Sequence, residues 1–312
     1  MSGSAGARLR ELLAREGAII CPGAVSPLFA TLAERAGFKA VYATGAGISN
    51  AWLGMPDLGL MGMSELLSVT GRIAQAVDVP VIADVDTGYG NVLNVTRTVR
   101  EFERAGVAAI QIEDQLNPKR CGHFDEKTVA SVGEMTERIL AALEGRHDPA
   151  LVVIARTDSL ATEGLAEAIH RAQRYAALGA DMVFVEAPTS VQDLRTIAKE
   201  VQVPMVVNMV EGGRTPIVPL ADLSDMGYKV VLYANAVLRM AMAAAVRTLD
   251  VLREQGSTAA IDAEMASWQE RQAAVDLDKW LDIDARISKQ AVSLGERVTA
   301  GSSVAAEGDA RA

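Results

Sequence analysis

The chain has 312 residues, 50% hydrophobic and only 4% aromatic, with a net charge of −10. An acidic balance of that size excludes a nucleic-acid partner, which needs a basic footprint, and argues against an anionic membrane surface. No apolar run approaches the roughly 18 residues of a membrane-spanning helix, and the charged start MSGSAGARLRELLAREG lacks the apolar centre of a secretory signal. Cys21 and Cys121 lie far apart, so no disulfide framework is expected and a reducing cytoplasm is the expected setting.

Taken in order, strand-like and helix-like runs alternate. An amphipathic helix over 7–15 precedes a first strand at 18–21 and a helix at 27–36. A second strand, 40–44, enters a long Gly-rich loop, Gly45 to Gly62, and a helix follows to Ala76. Strands are expected at 79–83, 107–112, 151–155, 182–185, 204–207 and 229–232. Helices are expected at 93–105, 132–143, 165–178, 191–200, 220–226 and 236–254. Eight βα units, about 25 to 30 residues apart, with strands that read as continuous apolar runs, predict an α/β fold: a parallel (β/α)8 TIM barrel. The absence of a Gly-x-Gly-x-x-Gly turn after the first strand weighs against a doubly wound sheet. The barrel is expected over 1–255, with a helical extension over 256–294 in which 261–271 and 277–287 each read as a helix. The Gly, Ser and Ala-rich tail at 295–312 is expected to be disordered.

In such a barrel functional groups collect at the C-terminal strand ends. Those ends are Thr44, Asp84, Asp86, Glu113, Arg156, Glu186, Asn208 and Tyr233. Asp84 and Asp86 stand two apart on an extended chain, so both can face one volume. Two carboxylates there repel unless a proton or cation lies between them. Asp57 and Glu113 add oxygen, and a hard-oxygen set suits Mg²⁺ or Mn²⁺ rather than zinc. Asp86 is the expected direct ligand, with Asp57, Asp84 and Glu113 acting largely through water. The Thr44-Gly45-Ala46-Gly47 turn can offer backbone N–H groups to a carboxylate. Arg156 supplies a planar fork for a second one. Tyr42, Glu186, Asn208, Thr215 and Asn235 are the further expected substrate contacts. His147 and His170 are expected at the surface, and Cys21 in the core.

The stretch Ile110 to Phe124 concentrates the chemistry. An apolar strand delivers the triplet Glu113-Asp114-Gln115, followed by Lys119-Arg120-Cys121-Gly122-His123. Flanking cations favour the thiolate of Cys121. Lys119-Arg-Cys-Gly-His123 resembles the signature of the isocitrate lyase / phosphoenolpyruvate mutase superfamily. Gly54-Met-Pro-Asp-Leu-Gly59, Asp84-Val-Asp-Thr-Gly-Tyr-Gly90, Ala155-Arg-Thr-Asp158 and Asn208-Met-Val-Glu-Gly-Gly213 resemble further family segments, in family order. The likeness covers roughly residues 8 to 290.

The resemblance implies Mg²⁺ at the positions named above and a small di- or tricarboxylate substrate. It implies a lyase that splits a carbon–carbon bond in a 2-hydroxydicarboxylate of the methylisocitrate or dimethylmalate type. Cys121 would be the general acid/base, aided by Lys119, His123, Arg156 and Glu113. The loop from Asn117 to Lys127 would close as a lid. It also implies a homotetramer, a dimer of dimers that exchange a C-terminal helix, with Trp268 and Trp280 as anchors. One departure stands out: Leu232-Tyr-Ala-Asn-Ala236 replaces the Tyr-Pro-Leu-Ser of many family lyases, and phosphonate-handling relatives carry an Ala-Asn pair near here. Carboxyphosphonoenolpyruvate phosphonomutase and oxaloacetate hydrolase/decarboxylase chemistry are the enzymatic alternatives, and a non-catalytic barrel is the alternative of another class.

Overall fold

The computed structural model describes residues 3–120, 122 and 127–308, the side chains at 293 and from 295 onward excepted. Eight parallel strands close in sequence order into a barrel. They are β1 (Ile19–Ala24), β2 (Val41–Ala43), β3 (Val81–Asp84), β4 (Ala109–Glu113), β5 (Val152–Thr157), β6 (Met182–Val185), β7 (Met205–Asn208) and β8 (Tyr228–Tyr233). α1 (Ala5–Leu13) precedes β1. Between strands run α2 (Pro27–Arg35), α3 (Gly45–Ile48), α4 (Met63–Ala76), α5 (Val92–Arg104), α6 (Val132–Gly145), α7 (Leu160–Glu163), α8 (Leu165–Ala177), α9 (Val191–Glu200) and α10 (Leu220–Met226). α11 (Ala236–Gln255) follows β8, and α12 (Trp268–Ala274) and α13 (Leu277–Gly308) come after it.

Strand alternation explains both cores. Outward residues such as Val81, Ala83, Ile110, Ile112, Val153 and Val183 join the helix faces in one cluster. Inward residues such as Cys21, Tyr42, Ile82, Ile154, Phe184 and Leu232 fill the barrel interior. With period 2, the next inward position is polar on β3, β5, β6 and β7: Asp84 after Ile82, Arg156 after Ile154, Glu186 after Phe184, Asn208 after Val206. The site is therefore the top layer of the barrel filling. Leu9 of α1 is fully buried and belongs to the interior cluster, so α1 stoppers the opposite end. Gly6 allows that approach, since a Cβ there would lie 2.7 Å from the Leu151 amide nitrogen.

Two expectations are corrected. The Gly-rich loop after β2 opens as helix: Thr44 Oγ1 caps the Gly47 N–H at 3.3 Å, α3 runs on as a π-helical turn (Ser49–Leu53), and buried Ile48 anchors it. A left-handed Gly54, φ 64°, ends it. The helix expected at 261–271 is instead a 3₁₀ turn (Ala259–Glu264) and a separate α12. Ser267 restarts the helix through a capping box with Glu270. α13 is helical to Gly308. No proline follows Pro219, so nothing in the backbone chemistry stops it.

The chain divides into two compact units, Met1–Asp250 and Val251–Ala312.

Candidate active site

The β3–α5 connection brings two carboxylates to the mouth. Asp84 is the last residue of β3, and its Oδ1 accepts from the Asp86 N–H at 3.2 Å. Asp86 itself has φ 49°, Tyr89 has φ 63°, and Ala187 after β6 has φ 58°. These are left-handed conformations that cost non-glycine residues about 1 kcal/mol or more, and they cluster at the barrel mouth, as strain at functional sites does.

Lys119 enters from the β4–α6 connection and is 3% exposed. Its Nζ pairs with Asp57 and, at 2.6 Å, with Asp86. Burial opposes its charge, yet Asp86, Glu113, Asp57 and Asp84 together push its pKa well above the ordinary lysine value. Asp86 goes up to about 6: burial dominates, Lys119 opposes, and Asp84 and Asp57 add to the rise. Burial also lifts Glu113 well above the usual carboxylate range, against the pull of Arg156.

Arg156, on β5, lies beside Glu113 of β4 in register. Its Nε and Nη2 fork onto Asp158 at 2.9 and 3.1 Å, and Glu113 and Glu186 stand 3.5 Å away on either side. The guanidinium lies over the Phe184 ring at 5.3 Å. Lys127 Nζ reaches Asp158 at 3.0 Å and also donates to the Gly122 carbonyl. The Gln115 side-chain amide holds Arg120 by its backbone, accepting from N–H at 2.9 Å and donating to C=O at 2.8 Å.

These side chains enclose a central cavity of about 40 Å³, whose wall includes Tyr42, Thr44, Ala46, Asp84, Glu113 and Arg156. Glu186, Asn208 and Asn235 complete the far wall, and Lys119, Arg120 and Gly122 cover it. A larger cavity of about 640 Å³ lies on the other side of Lys119 and Asp86, lined also by Met61, Tyr89, Asn94 and Arg97.

The chain matches the family described as phosphoenolpyruvate phosphomutase over residues 9–253. It belongs to the phosphoenolpyruvate mutase family. Among relatives, 2-methylisocitrate lyase of Aeropyrum pernix is 41% identical over 92% of either chain. 2,3-Dimethylmalate lyase of Eubacterium barkeri is 40% identical over 89% of this chain and 96% of its own. Of solved structures, phosphoenolpyruvate phosphomutase of Streptomyces platensis subsp. rosaceus superposes with a TM-score of 0.86 at 38% identity, covering 91% of this chain and 99% of its own. A phosphonopyruvate hydrolase complex with oxalate and Mg²⁺ gives 0.83 at 31% identity, over 91% and 99%.

Within this family framework the expected residues divide. Tyr42, Thr44, Ala46, Asp57, Asp84, Glu113, Lys119, Arg156, Glu186, Asn208 and Asn235 all line the central cavity. Gly45 and Asp86 line a small adjoining space with Tyr89. Thr215 is 3% exposed and its Oγ1 has no hydrogen-bond partner among the described residues, but it is not on the wall of the central cavity. Cys121 and His123 lie outside the described residues. Of the triplet Glu113-Asp114-Gln115 only Glu113 lines the central cavity; by alternation Asp114 points outward, bonded to Thr157 Oγ1 at 2.7 Å and Tyr175 OH at 2.9 Å. His147 and His170 are exposed, and Cys21 is buried with its thiol pushed up to about 12 by desolvation.

Among the described residues no three His, Cys, Asp or Glu side chains converge as a ready metal cage. Lys119 takes the place between Asp57 and Asp86 where a cation was expected. The donors nonetheless fit a hard cation held by one carboxylate directly and others through water. Residual charge supports that fit: Glu113 Oε1 is buried with no hydrogen-bond partner among the described residues, and Asp86 keeps a raised proton affinity even beside Lys119. Sequence reasoning assigned no site role to Lys127, Asp158 or Gln111. Asp158 continues the alternation two residues past Arg156 and was detectable. Gln111 donates to Tyr42 OH at 2.9 Å inside an otherwise apolar layer, with no sequence signal that sets it apart.

Proposed function

We propose that this chain is a carbon–carbon lyase that cleaves a small 2-hydroxydicarboxylate of the methylisocitrate or dimethylmalate type to a 2-oxo acid and a carboxylate. The observation that carries the reading is the meeting, at one barrel mouth, of Asp57, Asp84, Asp86 and Glu113 with the Arg156 guanidinium, whose Nε and Nη2 are held by Asp158. The two lyases at about 40% identity support it.

Asp86 would hold a divalent cation, Mg²⁺ or Mn²⁺, directly, with Asp57, Asp84 and Glu113 acting through water. When bound, such an ion stabilises negative charge on the oxygen of an α-oxo acid. The backbone N–H groups after Thr44 hold one substrate carboxylate, and Arg156 the other. Glu113, whose proton affinity burial raises, takes the proton of the 2-hydroxyl. The C2–C3 bond then breaks with its electrons on C3, beside a carboxylate. Cys121 delivers a proton to C3, with Lys119 and His123 tuning it.

A cytoplasmic setting fits a chain whose described cysteine is a free buried thiol and in which no described helix is long and apolar enough to cross a membrane. A helix-exchanged homotetramer fits the exposed apolar residues of the C-terminal unit, among them Trp268 and Trp280.

The test is release of pyruvate or glyoxylate from malates, citramalate, dimethylmalate, methylisocitrate, isocitrate and oxaloacetate with Mg²⁺. Turnover abolished by EDTA and by Cys121→Ser is expected. A second reading, phosphonate chemistry, is favoured by Asn235 on the cavity wall. Silence across the panel with oxalate still bound would select it.

A further inference from the structure

Lys127 is a buried cation to which the proposed chemistry assigns no task. It is 6% exposed and precedes α6. Burying an ammonium costs several kcal/mol unless its partners compensate. Its partners are Asp158 Oδ1, at 3.0 Å, and the Gly122 carbonyl.

The charges around Arg156 give this pairing a function. Three carboxylates face one guanidinium: Asp158 at 2.9 Å, and Glu113 and Glu186 each at 3.5 Å. Unrelieved, that surplus would repel the substrate carboxylate Arg156 is meant to attract. Asp158 takes Nε and Nη2, so Nη1 is the edge left without a hydrogen-bond partner among the described residues. Lys119 favours the Glu113 charge but cannot relieve Asp158, because its ion pairs are with Asp57 and Asp86. Lys127 can, because it sits on Asp158 itself. The same ammonium holds the turn at Gly122, where a Cβ would lie 2.6 Å from Glu186 Cγ, so this turn packs directly on the anion site.

We propose that Lys127 is a positioning residue for ligand binding: it neutralises Asp158 so that Arg156 keeps a net attraction for a carboxylate, and it holds Gly122 against that site. The inference rests on the reading of Arg156 as a carboxylate site.

Calorimetric titration with oxalate in the presence of Mg²⁺ tests it, on wild type, Lys127→Met, Lys127→Arg, Asp158→Asn and Lys127→Met/Asp158→Asn, with Tm measured for each. Lys127→Met is expected to weaken oxalate at least tenfold, and Lys127→Arg to restore most of that loss. The double variant should bind within about threefold of Asp158→Asn alone, because without the carboxylate the ammonium has nothing to offset. A Lys127→Met protein with lowered Tm but unchanged oxalate affinity would overturn the proposal, as would a double variant ten times weaker than Asp158→Asn. If Lys127→Met does not fold, the comparison between the double variant and Asp158→Asn decides. Wild type that fails to bind oxalate removes the reading of Arg156, and this inference with it.

Discussion

Tyr89 shows what one residue can carry. Its hydroxyl is buried beside Asp86, Asp84 and Glu113 yet has no hydrogen-bond partner among the described residues, and its backbone is left-handed. A buried orphan hydroxyl costs about 1 to 3 kcal/mol. Tyr89→Phe is therefore expected to raise the stability of the metal-free protein by about 1 kcal/mol, read by urea unfolding; a loss would mean that the hydroxyl has a partner after all. Asp158 offers a second case. Burial alone would raise its pKa, but Arg156 and Lys127 outweigh it and hold the carboxyl at about 2. A depressed carboxylate contributes stability that is present above its ordinary value, 3.8, and lost as pH falls through 2. The contribution is on the order of 2 kcal/mol. Acid unfolding of Asp158→Asn should show a shallower loss between about pH 4 and 2 than wild type; matching slopes would reject this account. Asp158 was visible in the sequence as part of Ala155-Arg-Thr-Asp158. Its function was not, because that depends on Lys127, which is distant along the chain and adjacent only in the fold.

At the scale of elements, the strands were legible because a parallel barrel buries both strand faces and each strand reads as an apolar run. The polar residue that ends each run was legible for the same reason. The helical turn after β2 was not. Gly45, Ala46 and Gly47 read as loop by composition, and only the Thr44 cap and the burial of Ile48 make them helix. α1 was legible as amphipathic, but its function as the stopper of the barrel was not, since Leu9 meets its partners only after closure. Gly6→Val should therefore destabilise the protein by roughly 1 to 3 kcal/mol through overpacking against Ala150 and Leu151. Its kcat at permissive temperature should stay near wild type, because α1 lies at the end away from the site. A large fall in kcat without a fall in Tm would contradict that placement.

For the whole molecule, the C-terminal unit is the part a single chain does not explain. Trp280, Ile287 and Leu294 recur at seven-residue spacing on α13 and are 64%, 56% and 51% exposed. An apolar seam of that period calls for a packing partner. The chain is expected to elute as an oligomer in light-scattering chromatography. Trp280→Asp/Ile287→Asp should shift it to a smaller species, and a wild-type monomer would refute the seam.

The sequence by itself determined the barrel, the strand order, the family and the residues at the strand ends, because each follows from local alternation and from motifs read along the chain. Only the tertiary structure decided which charges share a partner. Lys119 stands between Asp57 and Asp86, Asp158 divides its charge between Arg156 and Lys127, and Asp114 turns away from Glu113 toward Tyr175. The reason is physical: ion pairing depends on distance across the closed barrel, and closure joins residues whose separation along the chain carries no trace of it.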